Sequence, residues 1–132
     1  MIVADASALV AIALEEPEAA AFSVVLQQAD GARIAPVNYV ETGLILRARR
    51  FVETRVQLEA WLRIHQIVVD EEAAIASAAL DAYYRFGKGL HPARLNLGDC
   101  FAYALAKQLD APLLYKGDDF AKTDVRSALQ PT

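Results

Sequence analysis

Five acidic residues stand out because of where they fall along the chain. Asp5 ends the short apolar run "MIVA", Glu41 lies inside an amphipathic segment, Asp99 opens a helical pattern, and Asp118 and Asp119 follow the apolar run "APLLY". Carboxylate oxygens are ligands that Mg²⁺ and Mn²⁺ prefer, and an ion held among them can orient a water for attack on phosphorus. If the fold brings these acids together, they predict metal-assisted cleavage of a phosphodiester.

The rest of the composition narrows the choice of metal. The single cysteine, Cys100, excludes an internal disulfide framework. The two histidines, His65 and His91, lie too far apart in sequence for the usual zinc spacings. A metal bound by this chain would therefore have oxygen ligands.

The distribution of charge along the chain indicates whether the protein could bind nucleic acid. A net charge of -4 argues against nucleic acid, because phosphate binding draws on a basic surface. Most of the Lys and Arg residues nevertheless lie in the middle of the chain, which suggests a basic face beside an acidic pocket. On charge alone, a solvated helix surface is the simpler interpretation. The basic residues in this middle part are Arg47, Arg49, Arg50, Arg55, Arg63, Arg85, Lys88 and Arg94.

Each acid also has a purely structural explanation. Asp5 can cap a helix N-terminus, and Glu41 can form a buried ion pair with an arginine. Asp99 and Asn96 resemble a capping box, and the Gly-Asp-Asp run at 117–119 is typical of a turn. Carboxylates gathered at one edge would, however, repel one another by about 1 to 4 kcal/mol per pair at 4 Å. Such a gathering favours a divalent cation at its centre.

The elements that must position these acids alternate along the chain. The strand-like runs are "MIVA", "ARIAP", "QIVVD" and "APLLY", and helical patterns cover residues 7–16, 18–30, 36–50, 52–65, 71–86 and 97–109. This order predicts an α/β fold with three layers around a mostly parallel sheet. Because parallel strands end at the same edge, Asp5 and the 118–119 pair should meet there.

The chain has the size and composition of one domain. Its 132 residues predict a single domain over 1–132, and 55% hydrophobic with 23% charged residues is typical of a globular protein. No uncharged apolar run approaches the roughly 18 residues of a membrane span. The start of the chain lacks the basic region of a secretory signal. We expect no membrane segment and a cytoplasmic location.

Four stretches, taken together, resemble a known family. They are "IVADASALVAI", "APVNYVE", "GKGLHPARLNLGDCFAYALAK" and "PLLYKGDDFAKTDV". They resemble the PIN-domain family, most closely the VapC-like toxins of type II toxin–antitoxin pairs. The resemblance runs nearly end to end and is most specific over residues 87–107. It implies a PIN-like α/β/α fold, a Mg²⁺-dependent endoribonuclease in which Mn²⁺ can substitute, a cognate antitoxin and a homodimer.

The resemblance also implies particular site residues. Asp5, Glu41 and Asp99 match the family's three firm acidic positions, and Ser7 matches a hydroxyl that supports the first of them. The fourth position is less direct, since many relatives carry an acid where this chain has Gly117. With glycine there, we expect Asp119 to be the compensating metal ligand, directly or through a water, with the neighbouring Asp118 in second place.

The same resemblance suggests a role for the basic residues around the glycine-rich stretch that precedes Asp99. Lys88, Arg94 and Arg85 are in position to contact an RNA backbone next to the metal. They could equally contact an acidic antitoxin or remain solvated. For His91, contact with RNA and no functional contact are equally supported by the sequence.

Two other functions fit parts of the sequence. A PIN-like fold can serve only as a binding module, although such a module would be expected to lose some of its acids, and the three firm positions are intact. A phosphoaspartate receiver domain has a similar length, with Asp70 as the acceptor and Lys116 as its lysine. The receiver pattern requires a pair of acids after the first strand, and this chain has Asp5 alone.

Overall fold

Short parallel strands alternate with helices through the part of the chain that the structure, a computed structural model, describes, residues 1–129. No helix in that part has the length and apolar character needed to cross a membrane. In chain order the elements are β1 (Val3–Ala4), α1 (Ala6–Ala13), α2 (Ala19–Gln28), β2 (Ala32–Ile34), α3 (Pro36–Ala48), α4 (Arg55–Ile64), β3 (Ile67–Val69), α5 (Ala76–Phe86), α6 (Leu97–Gln108), β4 (Leu113–Leu114) and a 3-10 turn at Phe120–Lys122.

The four strands form one sheet in the order β3-β2-β1-β4, and every pairing is parallel. Val3 of β1 stands opposite Arg33 of β2 on one side and Leu113 of β4 on the other. Parallel pairing requires long crossovers, which the helices between the strands provide. The carboxyl ends of β1, β2 and β4 therefore open at the same edge of the sheet.

Each face of the sheet is covered by its own apolar core. Val3 and Leu113 point to the side packed by α5 and α6, whereas Ala4 and Leu114 point to the side packed by α1 and α2. Successive strand residues alternate between faces, so even two-residue strands contribute to both cores. The predicted three-layer α/β/α architecture with a parallel sheet is confirmed.

Two predicted helices begin later than their sequence patterns indicated. The helix predicted over 52–65 starts at Arg55, where the Thr54 side chain caps it by accepting a hydrogen bond from the Gln57 amide at 3.2 Å. The helix predicted over 71–86 starts at Ala76. Residues 70–75 instead carry the chain across from β3 to the opposite face, where Ile75 is only 1% exposed. Tertiary packing, rather than helix propensity, sets this boundary.

Gly31 allows β2 and β3 to approach each other at the amino-terminal edge of the sheet, opposite the edge that carries the acids. The sequence places Gly31 directly after the helical pattern 18–30, as a C-terminal cap. α2 ends at Gln28, and Gly31, with φ of +97°, donates a hydrogen bond from its amide to the backbone oxygen of Leu26 at 2.9 Å, which caps the end of the helix. A Cβ at this position would lie 2.0 Å from the backbone oxygen of Gln66, which accepts a hydrogen bond from Ala32. Backbone conformation and lack of space therefore both require glycine.

We expect Gly31→Ala to lower the free energy of unfolding by more than about 2 kcal/mol, because the left-handed backbone and the backbone clash each oppose the methyl group. Gly89→Ala is the matched control, since Gly89 has φ of +91° but nothing within 4 Å of the position that a methyl group would occupy. Urea denaturation should show a smaller loss there, about 1 kcal/mol. Equal losses in the two variants would mean that the contact with Gln66 is unimportant.

Candidate active site

Asp5 is the most deeply buried acid of the site. It follows β1 directly and caps α1: its Oδ2 atom accepts a hydrogen bond from the Ser7 amide at 3.1 Å, and its own amide donates to Leu114 at 2.9 Å. The residue is 4% exposed, and its Oδ1 atom is buried without a hydrogen-bond partner in residues 1–129. Burial raises the pKa of Asp5, partly opposed by hydrogen bonds from Ser7 and Ala6. The predicted capping role is confirmed, but it occupies only one oxygen.

Glu41 projects from α3, which begins directly after β2 with Pro36 in its first turn. Its Oε1 atom accepts a hydrogen bond from the Asn38 side-chain amide at 3.3 Å. Burial raises the pKa of Glu41, and the nearby charge of Asp5 raises it further. The ion pair with an arginine that the sequence left open does not form in the described part of the chain. Glu41 is instead held beside another acid.

Asp99 belongs to the first turn of α6 and completes the predicted capping box. Its Oδ2 atom accepts a hydrogen bond from the Asn96 amide at 3.0 Å, and its amide donates to Asn96 Oδ1 at 2.9 Å. The pKa of Asp99 is raised to about 7, chiefly by burial and further by the charges of Asp5, Glu41 and Asp119. The cap and the acidic site therefore use the same carboxylate.

Of the adjacent acids Asp118 and Asp119, Asp119 interacts more strongly with the other acids of the site. It immediately precedes the 3-10 turn, and its charge, unlike that of Asp118, contributes to the raised pKa of Asp99. Both side chains are exposed. The loop that carries them is fastened to the start of α1, because the Lys116 amide donates a hydrogen bond to Ser7 Oγ at 3.0 Å. Ser7 thus joins two of the segments that bear acids.

The basic residues suggested by the sequence differ in their surroundings. Lys88 and Arg94 are exposed in the loop between α5 and α6, the same loop that leads into Asp99. Neither forms an ion pair within residues 1–129. Arg85, at the end of α5, lies 3.5 Å from Asp124, which also accepts a hydrogen bond from Tyr103. Arg85 is therefore already engaged in fastening the C-terminal segment.

The oxygen donors of the site can be compared with the needs of a divalent metal. Over residues 1–129, no group of three or more His, Cys, Asp or Glu side chains is arranged so that it could hold a metal ion. The donor chemistry still suits Mg²⁺, which keeps several of its waters and binds proteins through only one or two carboxylates. The unpartnered, buried Oδ1 of Asp5 is the feature that best fits a cation, because a buried charge is costly unless it is paired or binds a metal.

Two residues of the site were not predicted from the sequence. Asn38 is fully buried and donates from its side-chain amide both to Glu41 and to the backbone oxygen of Gly98, at 3.0 Å for the latter. Gly98 packs directly against the Glu41 carboxylate. The spacing of Asn38 three residues before Glu41 was a usable signal, because side chains at that spacing share a helix face. Nothing local could indicate Gly98.

A parallel sheet covered by helices on both faces, with acidic residues at the carboxyl ends of its strands, places this chain among the α/β proteins that have an acidic site at the sheet edge. The family model of the PIN domain matches residues 2–126, and the chain belongs to the PIN-domain family. It is also similar over nearly its whole length to curated relatives. Ribonuclease VapC30 of Mycobacterium tuberculosis (strain ATCC 25618 / H37Rv) is 43% identical, covering 98% of this chain and 99% of the relative. Ribonuclease VapC of Mycolicibacterium smegmatis is 42% identical, covering 93% and 96%.

We expect Asp99→Asn to stabilise the metal-free chain at pH 8. The pKa of Asp99 in the folded state, about 7, lies above its ordinary value of 3.8, so the folded state binds more protons between these values. Its contribution to stability is therefore present at low pH and lost as the pH rises through 7. After allowance for solvent screening, the variant should gain about 1 to 2 kcal/mol at pH 8 and little at pH 4.

Urea denaturation in EDTA at both pH values provides the measurement. Asp118→Asn is the matched control, because that neighbouring acid is exposed and does not raise the pKa of Asp99. A variant at Asp99 that is no more stable than the wild type at pH 8 would show that the acids do not strain the folded state.

Proposed function

We propose that this chain is the toxin of a type II toxin–antitoxin pair and a metal-dependent endoribonuclease. The observation that carries the proposal is the placement of Asp5 at the start of α1, of Asp99 at the start of α6 and of the Glu41 carboxylate against the first turn of α6. A buried oxygen of Asp5 is left without a partner in residues 1–129. Membership of the PIN-domain family and the similarity to relatives named as VapC ribonucleases support it. The RNA phosphodiester is the substrate class that this combination fits best.

The acids divide the catalytic work according to their surroundings. Asp5, Glu41 and Asp99 would hold Mg²⁺, or Mn²⁺ in its place, with one or two of these carboxylates bound directly and the others, together with Asp119, reaching the ion through its waters. When bound, the ion would activate a water and stabilise negative charge on the phosphate. The hydrogen bonds from Ser7 to Asp5 and from Asn96 to Asp99 fix one oxygen of each carboxylate. These side chains are thereby oriented before any ligand arrives, which lowers the cost of assembling the site.

The RNA would approach along the loop that precedes α6. Lys88 and Arg94 are exposed there and lack carboxylate partners in residues 1–129, so they are available to phosphate oxygens. Arg85 would contribute less, because Asp124 already pairs with it. Phosphate contacts of this kind position the strand without reading its bases.

We further propose an antitoxin partner, a homodimer and a single domain over residues 1–132, acting in the cytoplasm where RNA and antitoxin are both present. The surface of α3 and α4 supports a protein partner. Val40, Leu44 and Val56 are large apolar side chains that are more than half exposed, and Arg47 and Arg55 flank the groove between the helices. Exposed apolar residues bordered by arginine are typical of protein interfaces.

The two alternative functions fit less well. A phosphoaspartate receiver needs its acceptor strand next to the first strand of the sheet, as in the order 2-1-3-4-5. Here β3 lies at the sheet edge, separated from β1 by β2, and Asp70 lies 3.7 Å from Arg33. A binding module without catalysis remains the second candidate, favoured by the exposure of Asp118 and Asp119 and by the absence of an acid at Gly117.

We expect the purified chain, free of antitoxin, to cut total cellular RNA into discrete fragments in Mg²⁺ or Mn²⁺ and to leave it intact in EDTA. Asp99→Asn should lower the cleavage rate at least about a hundredfold, because it removes one charge from the proposed metal site. Gel analysis of the fragments at equal protein concentration is the measurement, and thermal melting verifies that both proteins are folded.

To exclude a contaminating nuclease as the source of the cleavage, wild type and Asp99→Asn are purified side by side in the same way. If folded wild type leaves RNA intact with every metal, the nuclease proposal fails and the binding module takes its place. Cleavage that persists in EDTA would instead reject the metal requirement.

The fourth acid can be assigned by comparing two neighbouring variants. We expect Asp119→Asn to slow cleavage about tenfold or more and Asp118→Asn to change it less than about twofold, because only the charge of Asp119 acts on Asp99. Single-turnover rates at saturating Mg²⁺ separate the two. Equal losses would mean that the loop contributes general negative charge rather than one positioned ligand.

A further inference from the structure

A fully buried amide links the two helices that carry Glu41 and Asp99. Asn38 lies on α3, one turn before Glu41, and its Nδ2 atom donates to Glu41 Oε1 at 3.3 Å and to the backbone oxygen of Gly98 at 3.0 Å. The second bond joins residues 60 positions apart in the chain. Both acceptors are oxygens, so they fix which end of the amide faces them. Asn38 therefore positions the Glu41 carboxylate relative to the first turn of α6.

Burying the side-chain amide of Asn38 lowers the free energy of unfolding. The Oδ1 atom of Asn38 is buried and has no hydrogen-bond partner in residues 1–129. An unpaired buried polar atom typically costs about 1 to 3 kcal/mol. An apolar side chain of similar size would avoid that cost if packing between α3 and α6 were the only requirement. The two bonds donated by Nδ2 are what an apolar side chain could not provide.

Gly98 provides the space that the same carboxylate occupies. A Cβ at Gly98 would lie 2.5 Å from Glu41 Oε1, 2.6 Å from Oε2 and 2.8 Å from Cδ. These are the far atoms of a flexible side chain, so a methyl group would displace them without disturbing the backbone. The φ angle of Gly98 is not in the left-handed region, and alanine suits a helix better than glycine. The missing side chain is therefore explained by the position of Glu41 and not by the helix.

We propose that Asn38 and Gly98 are positioning residues for Glu41, the first by holding its carboxylate and the second by leaving room for it. This inference rests on the proposed metal-dependent nuclease function. It extends that function by assigning the orientation of one ligand to two residues that do not themselves touch the metal. Partners that orient metal ligands typically change metal affinity by about 10- to 100-fold when they are removed.

Gly98→Ala gives the sharpest test, because its effects on metal affinity and on stability should have different signs. We expect the Kd for Mn²⁺, measured by isothermal titration calorimetry on the full chain, to rise at least about tenfold. The metal-free melting temperature should stay the same or rise slightly, because alanine favours the helix. In a Glu41→Gln background, Gly98→Ala should have no further effect on the Kd, since the side chain that it displaces no longer carries a charge.

Gly43→Ala is the matched control for the helix effect. Gly43 lies on α3, as Glu41 does, but a Cβ there would meet only Leu58, at 3.0 Å. We expect it to leave the Mn²⁺ Kd within about twofold of the wild type, because it does not touch an orienting partner of the site. A tenfold rise in that control would show that any added methyl group near α3 weakens the site and would overturn the role of Gly98.

Asn38→Ala is compared with Thr42→Val in the same way. Thr42 is also fully buried on α3, and its Oγ1 atom donates only to the backbone oxygen of Asn38, at 2.7 Å. Both variants should lower the metal-free melting temperature, but only Asn38→Ala should raise the Mn²⁺ Kd about tenfold. Equal rises in the two Kd values would mean that Asn38 matters through stability alone.

The outcomes separate this inference from the function on which it rests. Wild type that binds Mn²⁺, with Gly98→Ala and Asn38→Ala binding it equally well, overturns the positioning roles and leaves the nuclease intact. Wild type that binds Mn²⁺ but cuts no RNA rejects the nuclease, and the Kd values still decide the positioning roles. Wild type that binds no Mn²⁺ overturns both.

Discussion

The burial of negative charge at the carboxyl edge of the sheet is the constraint on which the rest of the structure depends. Asp5 is almost completely buried, its charge raises the pKa values of Glu41 and Asp99, and no arginine or lysine neutralises these acids within residues 1–129. A folded protein tolerates such repulsion only where other interactions offset it. The two cores on the faces of the sheet and the helix caps provide those interactions.

The caps are of particular interest because they serve two purposes. Asp5 caps α1 and Asp99 completes the capping box of α6, yet each does so with one carboxylate oxygen. The helix N-termini hold the acids by hydrogen bonds and favourable dipoles, which stabilise the ionised form. The structural and functional explanations for these acids therefore do not compete. The same hydrogen bonds that start the helices also orient the site.

Glu41 is held by a different method, because it lies within a helix and away from any terminus. Its orientation depends on Asn38 and on the space beside Gly98, both of which bring α3 into contact with the first turn of α6. The packing of these two helices is thus part of the site, although neither residue carries charge. Sites of this kind need such support, since a carboxylate on a flexible side chain is otherwise poorly oriented.

Much of the fold and three acids of the candidate site could be read from the sequence. Alternating strand and helix patterns, Pro36 at a helix start and the Asn96–Asp99 capping box are local signals, because they depend on neighbours within a few residues. The resemblance to the PIN-domain family was carried by equally local motifs. These features determined the α/β class and the positions of Asp5 and Asp99 at helix starts.

Only the tertiary structure decided how those elements meet. The late start of α5, the engagement of Arg85 by Asp124 and the coupling of Asp119 rather than Asp118 to Asp99 depend on contacts between distant segments. The contact from Asn38 to Gly98 spans 60 residues and has no local pattern. The sequence by itself determined which groups could do the chemistry, since residue types and helix ends are local. Packing decided how they are oriented, because orientation depends on which surfaces touch.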